Sequence, residues 1–486
     1  MKKQVKFDGK ILIIGCGSVS QCAIPLVLRL IDVPPKNVTI MDFVDNRKRV
    51  KDSLKKGARY VSDRITEKNY KTLLKKYVGP GDLIIDLAWN IDCRAITTWC
   101  RENEILYVNT SVEEWDPYMD AQRNDPTKYT LYARHMEIRN MIKDDWGDNR
   151  GTTAVVDHGA NPGLVSHFTK TALIDIANKI IKDKPKDKRV PQLKEYLAVK
   201  DFPKLAMLTG VKVIHISERD TQITDQPKQV NEFVNTWSIE GFYEEGVAPA
   251  ELGWGTHEKY VPEGAFFHET GPRNQICLRS LGMKTWVHSW VPCGETTGMV
   301  IRHGEAFSIS DRLTVWEDGK AIYRPTVHYA YCPSDAAINS LHELEMRQFH
   351  MQEKQRIMSD EIIDGEDQLG VLLMGHDFTA WWCGSLLDIH TARQLVPHQQ
   401  ATTLQVAISV VAASIWMIKN PKRGLLLPDD LDHEEILKIA LPFIKPFVSR
   451  AVDWTPLKHL NTKFTKFDMP TPKPEDVWQF TTFLVK

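Results

Sequence analysis

Short apolar runs and helix-like stretches alternate through the first 110 residues, and the first run ends in a glycine turn. Residues 10–14 read as an apolar strand, Gly15-Cys16-Gly17 as a turn and 18–31 as a helix. A second strand over 37–41 stops at Asp42. A basic helical stretch follows, then a helical piece over 70–77, a strand at 82–85, a helix over 91–102 and a strand at 105–108. Strands that alternate with helices make βαβ units, and these build a parallel sheet covered on both faces. Parallel crossovers are right-handed, so the expected fold is α/β with a doubly wound, Rossmann-type sheet.

The turn itself carries chemistry. Gly15-Cys16-Gly17-Ser18-Val19-Ser20 has the form GxGxxS, one residue away from the dinucleotide fingerprint GxGxxG/A. Gly15 permits the tight turn, Gly17 lets a pyrophosphate approach the backbone, and Ser20 is nearly small enough for helix–strand packing. Ser18 and Val19 open the helix whose positive end would face that pyrophosphate. Asp42 ends the second strand, where a carboxylate can accept both adenosine ribose hydroxyls and repels a 2′-phosphate. NAD is therefore favoured over NADP. Arg47, Lys48 and Arg49 blur that preference unless they form a solvated helix face. Pro25 should kink the first helix or move its start.

Ligands of open α/β sheets bind at the carboxyl ends of the strands. Two loops lie there, 86–90 with Ala88 and Asn90, and 109–114 with Thr110, Ser111, Glu113 and Glu114. They either meet the nicotinamide ribose and substrate or are satisfied turns, and the sequence leaves both open. After a strand at 152–156 comes a second glycine turn, Gly159-Ala160-Asn161-Pro162-Gly163, and then a helix over 164–181. Its backbone amides and Asn161 reach the edge where the nicotinamide should sit. An ordinary helix start with Pro near its first position explains Pro162 but not the whole string.

A chain of 486 residues has room for about two to four domains. Residues 1–163 form the nucleotide-binding domain. Residues 164–380 are expected to be a larger α+β domain for substrate and dimerisation, and 381–486 a mainly helical part packing back on the first domain. The Lys/Asp/Pro-rich stretch 182–194 reads as a linker, 211–217, 286–291 and 326–331 as strands, and 334–359 and 391–418 as long helices. Lys plus Arg total 62 against 63 for Asp plus Glu, which argues against nucleic acid or an anionic membrane as partner. The apolar tract 404–418 is interrupted by Gln405, Ser409 and Ser414. It is shorter than the roughly 18–20 residues of a membrane span, and reads as a buried helix. The apolar run before Gly15 is too short for a signal-peptide core. Eight cysteines show neither CxxC pairs nor zinc spacing, so no metal is expected and the thiols suit the cytoplasm.

The second domain holds carboxylates interleaved with tryptophan. A strand running through Glu218 enters a charged turn, and Trp237 precedes Glu240, Glu244 and Glu245. A cationic amine asks for this combination, since a Trp face attracts an ammonium by roughly 2 kcal/mol once desolvated and a carboxylate pairs with it. The plainer reading is a core tryptophan beside a solvated acidic loop. His303 could carry a proton near neutral pH, or be structural.

Several strings resemble bacterial homospermidine synthases of the saccharopine dehydrogenase-like superfamily. They are GCGSVSQ (15–21), YVNTSVEEW (107–115), DHGANPGLVSHF (157–168), HISERDTQ (215–222), NEFVNTWSIEGFYEEG (231–246) and IRHGEAFSI (301–309), with 365–375 around Asp367. The resemblance spans nearly the whole chain. It implies condensation of two putrescines to homospermidine with release of ammonia, using NAD that is regenerated in each cycle. Hydride removal would give an imine, exchange of ammonia for the second diamine a new Schiff base, and hydride return the product. It also implies that Trp237, Glu218 and Glu245 hold ammonium groups, that Asn161 and His303 lie near the reacting carbon, and that Glu113 or Glu114 and Asp367 line the pocket. A homodimer is expected. A net oxidoreductase of the saccharopine or carboxynorspermidine type would need Arg or Lys for a substrate carboxylate, whereas these loops are acidic. A non-catalytic NAD or polyamine sensor would not need Trp237, Glu218 and Glu245.

Overall fold

The computed structural model describes residues 2–116, 125–460, 463 and 472–485. Six strands of the first part are β1 (Ile11–Ile14), β2 (Val38–Met41), β3 (Arg59–Val61), β4 (Leu83–Asp86), β5 (Leu106–Asn109) and β6 (Ala154–Val155). They pair in parallel in the order β3–β2–β1–β4–β5–β6, and the short strand Leu425–Leu426 adds beyond β6. β1, β4 and β5 are buried at every residue, as helices on both faces of a parallel sheet require. The order reverses between β1 and β4, which opens the ligand crevice of a doubly wound sheet.

Helix α1 (Ser18–Leu30) starts at the glycine turn and runs through Pro25 to Leu30. Of the two effects expected of Pro25, a shifted start does not occur. Packing against the sheet and against the C-terminal helix Ala401–Lys419 outweighs the one missing donor. That C-terminal helix is long and apolar enough to cross a membrane by length and composition, yet 89% of its apolar window is buried inside the protein.

Helices α2 (Leu131–Asn140) and α3 (Leu164–Asp183) flank β6. Of the expected linker 182–194 only 184–189 is a turn, and it joins two packed helices, α3 and Val190–Val199. The next strands are β7 (Val213–Asp220), β8 (Pro249–Gly253), β9 (Ala265–Phe267), β10 (Gln275–Leu281), β11 (Trp286–Val291) and β12 (Gly294–Met299). They are followed by β13 (Thr326–Cys332), β14 (Glu366–Met374), β15 (Ala380–Asp388) and β16 (Phe447–Val452). These form a mixed sheet in the order β9–β10–β8–β13–β7–β14–β15–β16, with the β11–β12 hairpin attached to β13. The last hundred residues thus serve both sheets. Helices α4 (Ile239–Val247) and α5 (Gly304–Arg312) bring further site residues to the second sheet.

Two expected long helices are broken. The first spans only Asp335–Met346, because Gln348 and Phe349 take positive φ and the chain turns into the strand Lys354–Ile357. The second splits into Ile389–Leu395 and Ala401–Lys419, because Pro397 and the left-handed His398 interrupt it.

Register is what matters for the site. β13 runs parallel to β7 with Tyr331 opposite Glu218, and β14 runs antiparallel with Asp367 opposite Asp220. Side chains alternate along a strand. One sheet face therefore carries Glu218, Asp220, Tyr329, Tyr331 and Asp367.

Candidate active site

The first half of the site is the carboxyl edge of the parallel sheet. Gly15 has φ +86°, and a Cβ there would stand 2.9 Å from the Leu87 carbonyl oxygen, so the close crossing of the β1 and β4 loops demands glycine. Gly17 caps α1 without any side-chain hydrogen bond, and a Cβ on it would meet nothing within 4 Å. The amide-rich helix start, with Ser18 and Val19, thus opens onto free space that an anionic group can fill. Ser20 is 1% exposed and fits at the third fingerprint position. Asp42 accepts the Cys16 N–H at 2.6 Å and the Val44 N–H at 2.8 Å, which fixes its carboxylate beside the turn. Arg47 ion-pairs with Asp45 at the surface.

The loops after β4, β5 and β6 line the same edge. Asp86 is buried, takes the Tyr107 hydroxyl at 3.0 Å and is pushed up to about 7 by burial. Ala88 donates back to Asp86 at 3.2 Å, and Asn90 has φ 58° and a buried side-chain oxygen without a partner. Thr110 lies 3.5 Å from where a Gly159 Cβ would be, and Ser111 donates to Glu113 at 2.7 Å. Asn109 holds the second glycine turn, accepting from Asp157 at 3.0 Å and from His158 at 2.9 Å. Helix α3 begins only at Leu164, so Pro162 precedes the helix rather than opening it. Gly163 has φ +132°, and a Cβ there would lie 1.8 Å from the Gly159 oxygen. The tight loop so formed carries Gly159, Ala160, Asn161 and Pro162 across to the second sheet.

Asn161 makes that crossing, its Nδ2 donating to Glu218 at 2.9 Å. Glu218 also accepts from the Tyr329 hydroxyl. Burial pushes Glu218 up to about 7, with the Asp220 charge adding to the rise and the Tyr329 hydrogen bond opposing it. Asp367 is held well above the usual carboxylate range by burial and by Glu218 and Asp220, with Thr402 opposing the rise. Asp220 accepts from Thr236 at 2.7 Å and from the Gln222 amide at 2.9 Å. Trp237 follows Thr236, and its indole N–H donates to the Tyr331 hydroxyl at 3.0 Å. His303 stands at the start of α5 with Nε2 2.9 Å from Glu245 and Nδ1 3.4 Å from Glu305. Burial alone would depress His303, but these two carboxylates outweigh it and hold it protonated. Its ring centroid is 4.3 Å from that of Tyr329.

The other expected pocket acids sit in a different environment. Glu114 pairs with Arg134 of α2 at 3.2 Å. Glu244 accepts from Arg134 at 2.7 Å, from Arg302 and from the Trp89 indole at 3.2 Å. Glu113 is pushed up to about 7 by burial and by Glu244, and its Oε2 is buried without a partner. Of the pair, Glu113 keeps a buried oxygen without a partner while Glu114 is taken up by its arginine. Both buried arginines answer to acids of the protein itself.

Residues 11–155 match the saccharopine dehydrogenase NADP binding domain and residues 159–452 the saccharopine dehydrogenase C-terminal domain. The chain is 38% identical to a homospermidine synthase of Blastochloris viridis, over 99% of this chain and 98% of that one. The chain belongs to the homospermidine synthase family. It is likewise 37% identical to the homospermidine synthase of Mesorhizobium japonicum, over 99% of this chain and 97% of the other. The crystal structure of the homospermidine synthase from Legionella pneumophila in complex with NAD superposes with a TM-score of 0.87 at 36% identity, covering 100% of this chain and 99% of that one. No group of metal-ligating residues occurs among the described residues.

Three kinds of residue in this family member escaped sequence reasoning. Tyr329 and Tyr331 were legible as alternate residues of a strand, but only pairing with β7 sets them beside Glu218. Asp220 was hidden in a charged turn. Arg134, Arg302 and Glu244 lie 58 to 168 residues apart, and no motif joins them.

Proposed function

We propose that this chain is a homospermidine synthase, which condenses two putrescines to homospermidine and releases ammonia. NAD, when bound, supplies a hydride acceptor at the amine-bearing carbon and the same hydride back to the condensed product, so that the net reaction is a transfer. The cradle fits it. Gly15, Gly17, Ser18 and Val19 would hold the pyrophosphate, Asp42 the adenosine ribose, and Ala88, Asn90, Thr110, Ser111 and the 159–162 turn the nicotinamide side. We assign residues 1–163 to this task, 164–380 to the amine pocket and the dimer, and 381–486 to bracing both.

The observation that carries the reading is the sheet face on which Glu218, Asp220 and Asp367 gather beside Trp237 with no arginine or lysine ion pair among the described residues. Buried acids are costly unless a cation joins them, and a diammonium substrate brings one. Glu218 and Trp237 keep the distal nitrogen charged, since a carboxylate favours the protonated amine. The reacting nitrogen has to be neutral, and a desolvating wall lowers its pKa. His303, held protonated between Glu245 and Glu305, offers a proton to departing ammonia, and Asn161 orients Glu218 toward the same space. The two domains together exclude water from an imine that would otherwise escape.

The surroundings suit a cytoplasmic homodimer. All eight cysteines are unpaired, as in a reducing compartment, and Ile223, Val230 and Ile363 lie exposed on the second domain. Sedimentation velocity should give a dimer.

The test is turnover with putrescine in large excess over NAD, following polyamines by mass spectrometry and NADH by absorbance. Homospermidine and ammonia in excess over NAD, with no lasting NADH, are expected. NADH growing in step with an oxidised product would make the protein a dehydrogenase instead.

A further inference from the structure

Tyr329 and Tyr331 fall outside every string that carries the family resemblance, yet their hydroxyls meet two of the pocket's central groups. The tyrosines are alternate residues of β13, 3% and 0% exposed, with rings stacked at 5.1 Å and 10°. The Tyr329 hydroxyl donates to the Glu218 carboxylate, and the Tyr331 hydroxyl accepts the Trp237 indole N–H at 3.0 Å. The Tyr329 ring packs in turn on His303.

Resting on the amine-pocket reading above, we infer that Tyr329 and Tyr331 are a pair of positioning residues that build the seat of the substrate ammonium. Tyr331 sets the plane of Trp237. By accepting its N–H it also draws the indole face more negative, which strengthens its attraction for a cation. Tyr329 donates to Glu218 and so favours the ionised form that an ammonium needs. This donor matters because of what else faces Glu218. Asp220 comes from its own strand, Asp367 from β14, Tyr331 from β13, Asn161 from the glycine turn and His303 from the start of α5. The Asp220 charge opposes its ionisation, whereas Asp367, itself held well above the usual carboxylate range, acts with Tyr329 to favour the ionised form. Burial pushes Glu218 up to about 7, so each hydrogen bond donated to its ionised form counts toward holding it charged.

The experiment compares wild type with Tyr329→Phe and Tyr331→Phe, measuring homospermidine formation against pH and NAD affinity by calorimetry. In Tyr329→Phe the acid limb of kcat/KM for putrescine should move up by about one pH unit or more, with kcat on the alkaline plateau within a few-fold of wild type. In Tyr331→Phe the KM for putrescine should rise about tenfold while NAD affinity stays unchanged. A folded Tyr329→Phe whose acid limb coincides with that of wild type overturns the inference, as does an unchanged KM in folded Tyr331→Phe. Where either variant fails to fold, 3-fluorotyrosine at position 329 keeps the ring and strengthens the donor. It should then move the acid limb downward, and an unmoved limb counts against the pair. A wild type that makes no homospermidine refutes the proposed function itself, a result distinct from all of these.

Discussion

Two clusters of buried acid flank helix α4, and they differ in where the positive charge comes from. Around Glu244, the protein supplies its own cations, Arg134 and Arg302, and adds the Trp89 indole. Around Glu218, the donors among the described residues are neutral hydroxyls and amides from Tyr329, Thr236, Gln222 and Asn161. The first cluster is complete without a ligand. The second has no arginine or lysine ion pair among the described residues, only His303 nearby, and Asn161 ties it to the dinucleotide edge. The difference teaches how to tell structural acids from binding acids in one molecule: the binding ones are buried without an arginine or lysine. Adjacent residues divide on this line, Glu244 facing the arginines and Glu245 facing His303.

The sharpest way to break the comparison is Glu244→Ala. It leaves two buried guanidiniums without their shared acid, which should cost about 3–5 kcal/mol of stability. Calorimetric melting checks this, and an unchanged midpoint would show that Glu244 is not the structural member. The next effect lies on the other side. Trp237→Ala should lower kcat/KM for putrescine by about thirtyfold, the equivalent of ~2 kcal/mol, and Trp237→Phe by much less. Equal losses in the two variants would remove the cation–π role.

A third test uses pH. Glu218 is raised in the fold, to about 7, so it binds its proton more tightly folded than unfolded. Its contribution to stability is present below the ordinary carboxylate range and is lost as pH rises through about 7. Glu244 behaves oppositely: burial would raise it, but Arg302 and Arg134 win and hold it low. Its contribution is present above the carboxylate range and is lost on acidification. The ligand-free protein should therefore lose a few degrees of melting temperature between pH 6 and 8, and putrescine should restore them. A flat profile, with or without the diamine, would place the ammonium elsewhere. The smallest effect is expected at Asp42→Ala, where the preference for NAD over NADP in a binding titration should weaken by about tenfold. An unchanged ratio would mean that the Asp42 contacts to Cys16 and Val44 are its whole role.

Much of the first half of the molecule was legible from the chain. The GxGxxS turn, Asp42 at a strand end and the second glycine turn all follow from local rules of backbone geometry and period. Asn161, Trp237, Glu218, Glu245 and His303 were legible through the strings of the family resemblance, and the fold brings them together. What stayed hidden depends on pairing between distant strands. Tyr329 and Tyr331 become site neighbours only through the parallel register of β13 with β7, and Asp367 meets Asp220 only through β14. Likewise nothing local says that Glu114 is spent on Arg134 whereas Glu113 keeps a free oxygen. Two helices were drawn too long: the break at Gln348–Phe349 is a backbone event with no periodic signature, and at Pro397–His398 the apolar period masked a legible proline stop.

The central claim is that a hydride leaves the first diamine and returns to the product within one closed pocket. Putrescine carrying deuterium on both amine-bearing carbons, supplied with catalytic NAD and an excess of added unlabelled NADH, tests this directly by mass spectrometry of homospermidine. The account predicts full retention of deuterium in the product. Homospermidine lacking one deuterium per molecule would show exchange with the free cofactor pool, and would contradict it.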